Sequence, residues 1–313
     1  MNRMRWPVFA LCACCAACAA ILGIDDGIPR DGGGGGDTAP PADAKVEAET
    51  ASGPCDLSLP FGAPVALGAL NTSDGEQHPR LSADEKTIWF QRTSLTNGFD
   101  LYVATRLVTT ASFDPPSPVG ELDTASNDVD LTVSPDGMHA YFSSDRIPTL
   151  GGFDLWQAER DAATAPFDLL SPTANVSSPQ NDHETYYVPG ALYFASDRGS
   201  GGEDIYRAAE QSGGFASPLL VPELASPASD GYPVVQANEL HVWLASTRGD
   251  AGMFQMYEAT RAIKTAAWST PTVVPEFASF TALPGWISPD GCRMYLSSDK
   301  GGDYDLYVAT KSK

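Results

Sequence analysis

Asp130 and Glu184 are the residues of this chain that come nearest to an acid–base pair. Each lies two positions after an acidic residue, Asp128 or Asp182, that opens a short β-like pattern. Two carboxylates on neighbouring elements suffice to hydrolyse a glycosidic bond, one as acid and the other as base or nucleophile. The same position is held elsewhere by His78, Tyr232 and Pro284, and two residues further on come Arg80, Thr132, Tyr186, Val234 and Trp286. Beside them Leu81, Val133, Tyr187, Val235 and Ile287 are uniformly apolar, as a packing face requires. The variable set either lines a binding surface or packs against a neighbouring element. The candidate binding residues are His78, Arg80, Asp130, His183, Glu184, Tyr186, Tyr232 and Trp286, with Asp130 and Glu184 as the catalytic pair if there is one.

Other reactive patterns are missing from the sequence. It contains no Gly-x-Ser-x-Gly elbow, no metal-binding Cys-x-x-Cys pair and no phosphate loop, so no metal or cofactor is expected. The acidic marks Glu76, Asp128, Asp182 and Asp230 recur, and they either cap turns or form a rim able to hold a cation. The pairs Asp145-Arg146 and Asp197-Arg198 recur too, which argues for structure. The Asp or Ser of this segment is expected to bond backbone in the loop that follows, with a later Asp anchoring that loop. A formal charge of -21 repels phosphate backbones and excludes nucleic acid as a partner.

The elements that position these residues are repeats. An acid-aliphatic-aromatic triplet begins at Asp100, Asp154, Asp204 and Asp305, with a degenerate copy at Gln255, a period near fifty. Each unit has an inner strand, a turn such as Ser134-Pro135-Asp136-Gly137, and a strand such as Ala140-Tyr141-Phe142. A Gly-rich loop, the triplet strand and a final run opening on an aromatic complete it, as in Phe113 to Leu122. Four antiparallel strands make a propeller blade. The fifth unit ends at its third strand, and Phe61 to Leu70 matches the missing fourth. The expected fold is therefore all-β, a five-bladed β-propeller over 55–313 whose amino-terminal strand completes the last blade. Cys55 and Cys292 would then lie at one end of that blade and form a disulfide across the closure, the alternative being two free thiols.

The amino terminus reads as an export signal over 1–18. Arg3 and Arg5 precede an apolar run from Trp6 to Ala17 that is too short to span a bilayer. Cys15-Ala16-Ala17-Cys18 is similar to a bacterial lipobox with Cys18 lipidated; Cys14 is the second candidate. Ala19 after the cysteine implies outer-membrane sorting. Residues 19–54, with the glycine run Gly32 to Gly36, read as a flexible tether.

Ser-Pro-Asp-Gly, Tyr-Phe-Ser-Ser-Asp-Arg and Asp-Leu-Tyr/Trp together resemble the WD40-like PD40 repeats of the TolB-type propeller over most of 61–313. The count departs from the six blades usual there, no separate amino-terminal α/β domain is visible, and a TolB-like partnership is not implied. The resemblance speaks for fold more than function. Expected is a monomeric, non-catalytic binding or scaffolding module, an outer-membrane lipoprotein facing the periplasm or the cell surface. Its partner would be an envelope protein, peptide or glycan, and it would meet the membrane only through its lipid. The alternative is a propeller glycoside hydrolase. Loops 71–78, 122–129, 175–183 and 225–232 vary while the strands repeat, which is where specificity is expected.

Overall fold

The structure is a computed structural model that describes residues 54–94, 98–173, 175–199, 201–249 and 252–313. Cys14, Cys18 and the tether up to residue 53 lie outside the described residues.

The fold is an all-β, five-bladed propeller. Strand β1 (Val65–Ala66) comes first in sequence and is used last. Blade one is β2 (Glu76–Leu81), β3 (Thr87–Ser94), β4 (Gly98–Thr105) and β5 (Ser117–Pro118). Blade two is β6 (Asp128–Val133), β7 (His139–Ser144), β8 (Asp154–Glu159) and β9 (Asp168–Pro172). Blade three holds β10 (Asp182–Val188), β11 (Ala191–Ser196) and β12 (Asp204–Gln211), with β13 (Gly214–Phe215) and β14 (Leu219–Leu220) both paired to β12. Blade four is β15 (Asp230–Val235), β16 (His241–Ser246), β17 (Gln255–Thr260) and β18 (Thr272–Val273). Blade five is β19 (Leu283–Ile287), β20 (Arg293–Ser298), β21 (Asp305–Thr310) and, on its outer edge, β1. Val65 pairs with Val308 and Ala66 with Tyr307, which closes the ring as the missing fourth strand requires. Cys55 and Cys292 form the disulfide, with Cα atoms 5.8 Å apart.

The second strands carry the core because neighbouring blades cover both their faces. All six residues of β11 are buried, and Phe142, Tyr193, Phe194 and Tyr295 are almost wholly excluded from solvent. Four of the five blades have outer strands much shorter than the fourth-strand patterns suggest, β9 being the exception. β1, β5, β14 and β18 have two residues each, all exposed. Short edges blunt strand-to-strand aggregation, and Pro118 in β5 removes a donor from one of them.

The recurring Asp-Arg pairs are structural. Arg146 pairs with Asp128 and donates to the Leu122 carbonyl; Arg198 does the same with Asp182 and Val176, and Arg248 with Asp230 and Leu224. Arg92 bonds Glu76 at 2.7 Å and the Leu70 carbonyl at 2.9 Å. Asp128, Asp182 and Glu76 also accept the N–H of Thr124, Ser178 and Thr72, capping the loop before the strand. These acids are fully buried and form no exposed rim. Ser144 accepts from the N–H of Arg146 in the following loop, and Asp154 accepts from Leu150, as expected. Asp145 instead holds Asn127, in the loop that precedes the inner strand.

Candidate functional site

Every inner strand breaks register once: between Gln77 and Arg80, Val129 and Thr132, His183 and Tyr186, Gly231 and Val234, and Pro284 and Trp286. In the first four blades the bulged residue is left-handed, with φ of 55° at His78, 61° at Asp130, 60° at Glu184 and 54° at Tyr232. A bulge turns its N–H out of the ladder, and a buried N–H needs another acceptor. The preceding blade supplies it. His78 N–H donates to Ser297 Oγ at 3.0 Å, Asp130 N–H to Gln91 Oε1 at 3.0 Å, and Glu184 N–H to Asp130 Oδ2 at 2.8 Å. Tyr232 N–H donates to Glu184 Oε2 at 2.5 Å. Gly231 makes the last contact possible, because a Cβ there would lie 2.2 Å from the same oxygen.

These positions come together at the axis, as the spacing predicts. The remaining Asp130 oxygen bonds His78 Nδ1, and the His78 ring sits edge-on to Tyr232 with centroids 4.9 Å apart. Burial, with the charges of Arg80 and His183, holds His78 well below the usual imidazole range. Arg80 reaches from blade one to the Gly285 carbonyl of blade five and, at 3.1 Å, to the Thr185 carbonyl of blade three. Its guanidinium lies 5.0 Å from the centre of the Tyr186 ring. The channel is thus crossed by the His78–Tyr232 ring contact, from blade one to blade four, and by Arg80, from blade one to blade three. Asp130 is 1% exposed and Glu184 2%.

His183 stands to one side of this group. Its Nε2 is 2.6 Å from Glu203 Oε1, and its Nδ1 is 3.7 Å from Glu184 Oε1. Burial alone would lower its pKa, but the Glu203 hydrogen bond and the charges of Glu184, Glu203 and Asp197 raise it to about 9. Burial pushes the Glu184 carboxyl upward, against the pull of His183.

The two ends of the inner strands differ. At the loop end lies a polar recess of about 450 Å³ lined by Asp197, Gly201, Gly202, Glu203 and Ser229. At the opposite end, among the turns that join first and second strands, is a cavity of about 1400 Å³. Arg80, Tyr186 and Trp286 line it, and so do turn residues of all five blades. It extends between blades one and two past Trp89, Val119 and Phe167. Of the loops expected to carry specificity, 225–232 borders the smaller recess through Ser229; the larger opening is among turns whose regularity hid it. Trp89 differs from the Tyr at its place in three other second strands, a departure that could have drawn notice.

No protein-family model and no curated protein matches the chain. Solved structures do match. The chain is similar to an exo-β-1,3-galactanase from Clostridium thermocellum, at 12% identity and a TM-score of 0.53, over 80% of this chain and 61% of that one. It is also similar to a thermostable family-43 glycoside hydrolase, at 12% identity and a TM-score of 0.52, over 77% of this chain and 90% of that one. TolB from Acinetobacter baumannii matches at 17% identity and a TM-score of 0.45, over 78% of this chain and 56% of that one. The chain thus spans little more than half the length of that TolB. Identities this low speak for the propeller fold alone.

Proposed function

We propose that the chain is a non-catalytic binding or scaffolding propeller of the bacterial envelope, held to the outer membrane by lipid on Cys18 or Cys14. One observation carries the non-catalytic part. Both oxygens of Asp130 are committed, one to His78 and the other to the Glu184 N–H, and Glu184 in turn holds Tyr232. An acid–base pair has to reach a substrate and a water. These two carboxylates are buried in the blade junctions, while the wide cavity lies at the other side of Arg80 and is floored by aromatic rings. Concave, largely apolar surfaces with a few placed polar groups are the usual form of a recognition site.

The test is direct. Wild-type protein incubated with xylan, arabinoxylan and β-1,3-galactan should release no reducing sugar. Release that vanishes in Asp130→Asn or Glu184→Gln would replace this reading with the hydrolase. In parallel, a partner retained from envelope extracts by the wild type should be lost by Ala237→Trp, which places a large side chain at the cavity mouth.

A further inference from the structure

The cavity mouth is framed by the turn of each blade, and the chemistry of those turns gives it a charge. In Ser82-Ala83-Asp84 the Asp84 Oδ1 accepts from Ser82 Oγ at 2.7 Å and from Lys86 N–H at 3.1 Å. Asp136 repeats this with Ser134 at 2.6 Å and Met138 at 2.9 Å. The turn needs one carboxylate oxygen. Among the described residues, the second oxygen of Asp84 or Asp136 makes no hydrogen bond within a blade junction, and both side chains are exposed. Their serine hydrogen bonds hold both below the usual carboxylate range, so they stay ionised. Asp290 belongs to the same ring but also meets Arg293 at 3.0 Å. Glu121 adds an exposed carboxylate in the arm between blades one and two.

Two bases line the cavity, and Arg160 offsets part of the Glu121 charge in the arm. The two are Arg80, bound to the Gly285 and Thr185 carbonyls, and Arg160, bound to the Gly137 carbonyl at 2.6 Å and stacked 4.2 Å from the Phe167 ring centre. Between acidic rim and floor the walls are aromatic and aliphatic: Trp89, Tyr187, Trp286 and Val235. The volume, about 1400 Å³, exceeds the roughly 300–1,000 Å³ of a small-molecule pocket. Its arm between the blades is a groove, suited to a chain of linked units. Carboxylates around aromatic faces attract a cation both by charge and by the ring quadrupole.

We infer that the turn-end cavity receives an extended peptide segment of a partner protein in which lysine or arginine alternates with apolar residues. This rests on the binding role proposed above. The apolar side chains enter the aromatic trough, and the cationic ones meet Asp84, Asp136 and Glu121.

Isothermal titration calorimetry with a twelve-residue peptide alternating Lys and Val tests it, against the Glu–Val peptide and xylohexaose. The Lys–Val peptide should bind the oxidised wild-type protein and weaken with added salt, and the other two should not bind. The Asp84→Asn, Glu121→Gln, Asp136→Asn triple variant should bind it about tenfold more weakly. Asn keeps the oxygen each turn requires, and a thermal melt checks the fold. A second triple variant, Asp74→Asn, Asp299→Asn, Asp303→Asn, removes equal charge from loops at the other end and should bind as the wild type does. Equal weakening in both variants means diffuse attraction to an acidic protein and overturns the inference, as does failure of the Lys–Val peptide to bind. If xylohexaose or the Glu–Val peptide binds instead, and Ala237→Trp abolishes it, the inference falls while the binding role stands. If no probe binds and envelope extracts leave nothing on the protein, both fall.

Discussion

At the inner-strand bulges a side-chain carboxylate takes the place that a backbone carbonyl has elsewhere in a sheet. Asp130 accepts from Glu184 N–H and Glu184 from Tyr232 N–H, so each acid satisfies the donor that the next blade's bulge turns out of its ladder. That the two acids occupy equivalent positions near the axis was legible in the 54-residue spacing between them. Their use was not, because a left-handed φ at a non-glycine residue leaves no mark in sequence, and an acid at the axis reads the same whether it meets a substrate or a backbone. The His183 group yields a prediction at this scale. Its two flanking carboxylates, Glu203 and Glu184, favour the imidazolium, and its pKa rises from 6.5 to about 9. The folded state therefore keeps a proton that the unfolded chain releases. Its stabilising contribution is complete below pH 6.5 and is lost as pH rises through 9. Burial of Glu184 acts in the same direction, since that carboxyl also holds its proton longer when folded. Stability should thus fall between pH 6.5 and 9 more steeply in the wild type than in His183→Gln, as read by urea midpoints across that range. Parallel curves would mean that His183 is not protonated at neutral pH.

Among the elements, the turns after the inner strands show how a departure from a repeat becomes a junction. The fourth turn position is left-handed and is Gly137, Gly190 and Gly291 in three blades, but Glu85 and Glu239 in the other two, at φ of 58° and 55°. Holding a non-glycine residue there costs on the order of 1–2 kcal/mol. Each glutamate offsets this by clasping the preceding blade. Glu85 receives Arg293 Nε at 2.7 Å and the Tyr295 hydroxyl at 3.0 Å, joining blade one to blade five. Glu239 receives Arg207, Arg261 and the Tyr193 hydroxyl between blades three and four. The substitution of Glu for Gly was visible in the aligned turns, but its partner 208 residues away was not. Glu85→Gly relieves the backbone but leaves Arg293 with Asp290 and Tyr295 with Arg106 as their remaining partners. Losing one partner of a buried pair costs roughly 3–5 kcal/mol. The net expectation is destabilisation by about 2–3 kcal/mol in urea unfolding, and a neutral or stabilising result would show that backbone strain outweighs the clasp.

For the whole molecule, closure was the most legible feature, because a unit without its outer strand and an unassigned stretch of matching pattern imply one another. Phe61 to Leu70 lies where that reasoning placed it, and the seam carries more than β1. Asp56 N–H donates to the Ser312 carbonyl at 2.9 Å, Gly62 N–H to Thr310 at 2.9 Å, and Phe61 N–H to Glu276 in blade four at 2.8 Å. Lys311 caps the Leu57 and Leu59 carbonyls and lies 4.5 Å from the Phe61 ring centre. What sequence could not convey was how little ladder this leaves, since the outer strand is only two residues long. With so few pairs, the Cys55–Cys292 bond matters in proportion. It joins residues 237 positions apart, so cutting it frees the unfolded chain of a very large loop; chain entropy alone assigns such a loop roughly 5 kcal/mol, and disulfides typically contribute about 2–4 kcal/mol. For a domain of this size each kcal/mol shifts the midpoint by roughly 2–4 °C. Reduction, or the Cys55→Ser, Cys292→Ser variant, should therefore lower the melting temperature by about 4–16 °C while the circular dichroism spectrum at 25 °C stays that of the propeller. Proteolysis of the reduced protein should begin near Pro54 to Leu59, where the segment is released first. An unchanged midpoint would assign closure to β1, Phe61 and Lys311 alone, and the bond would then be a consequence of the closed ring and not one of its causes.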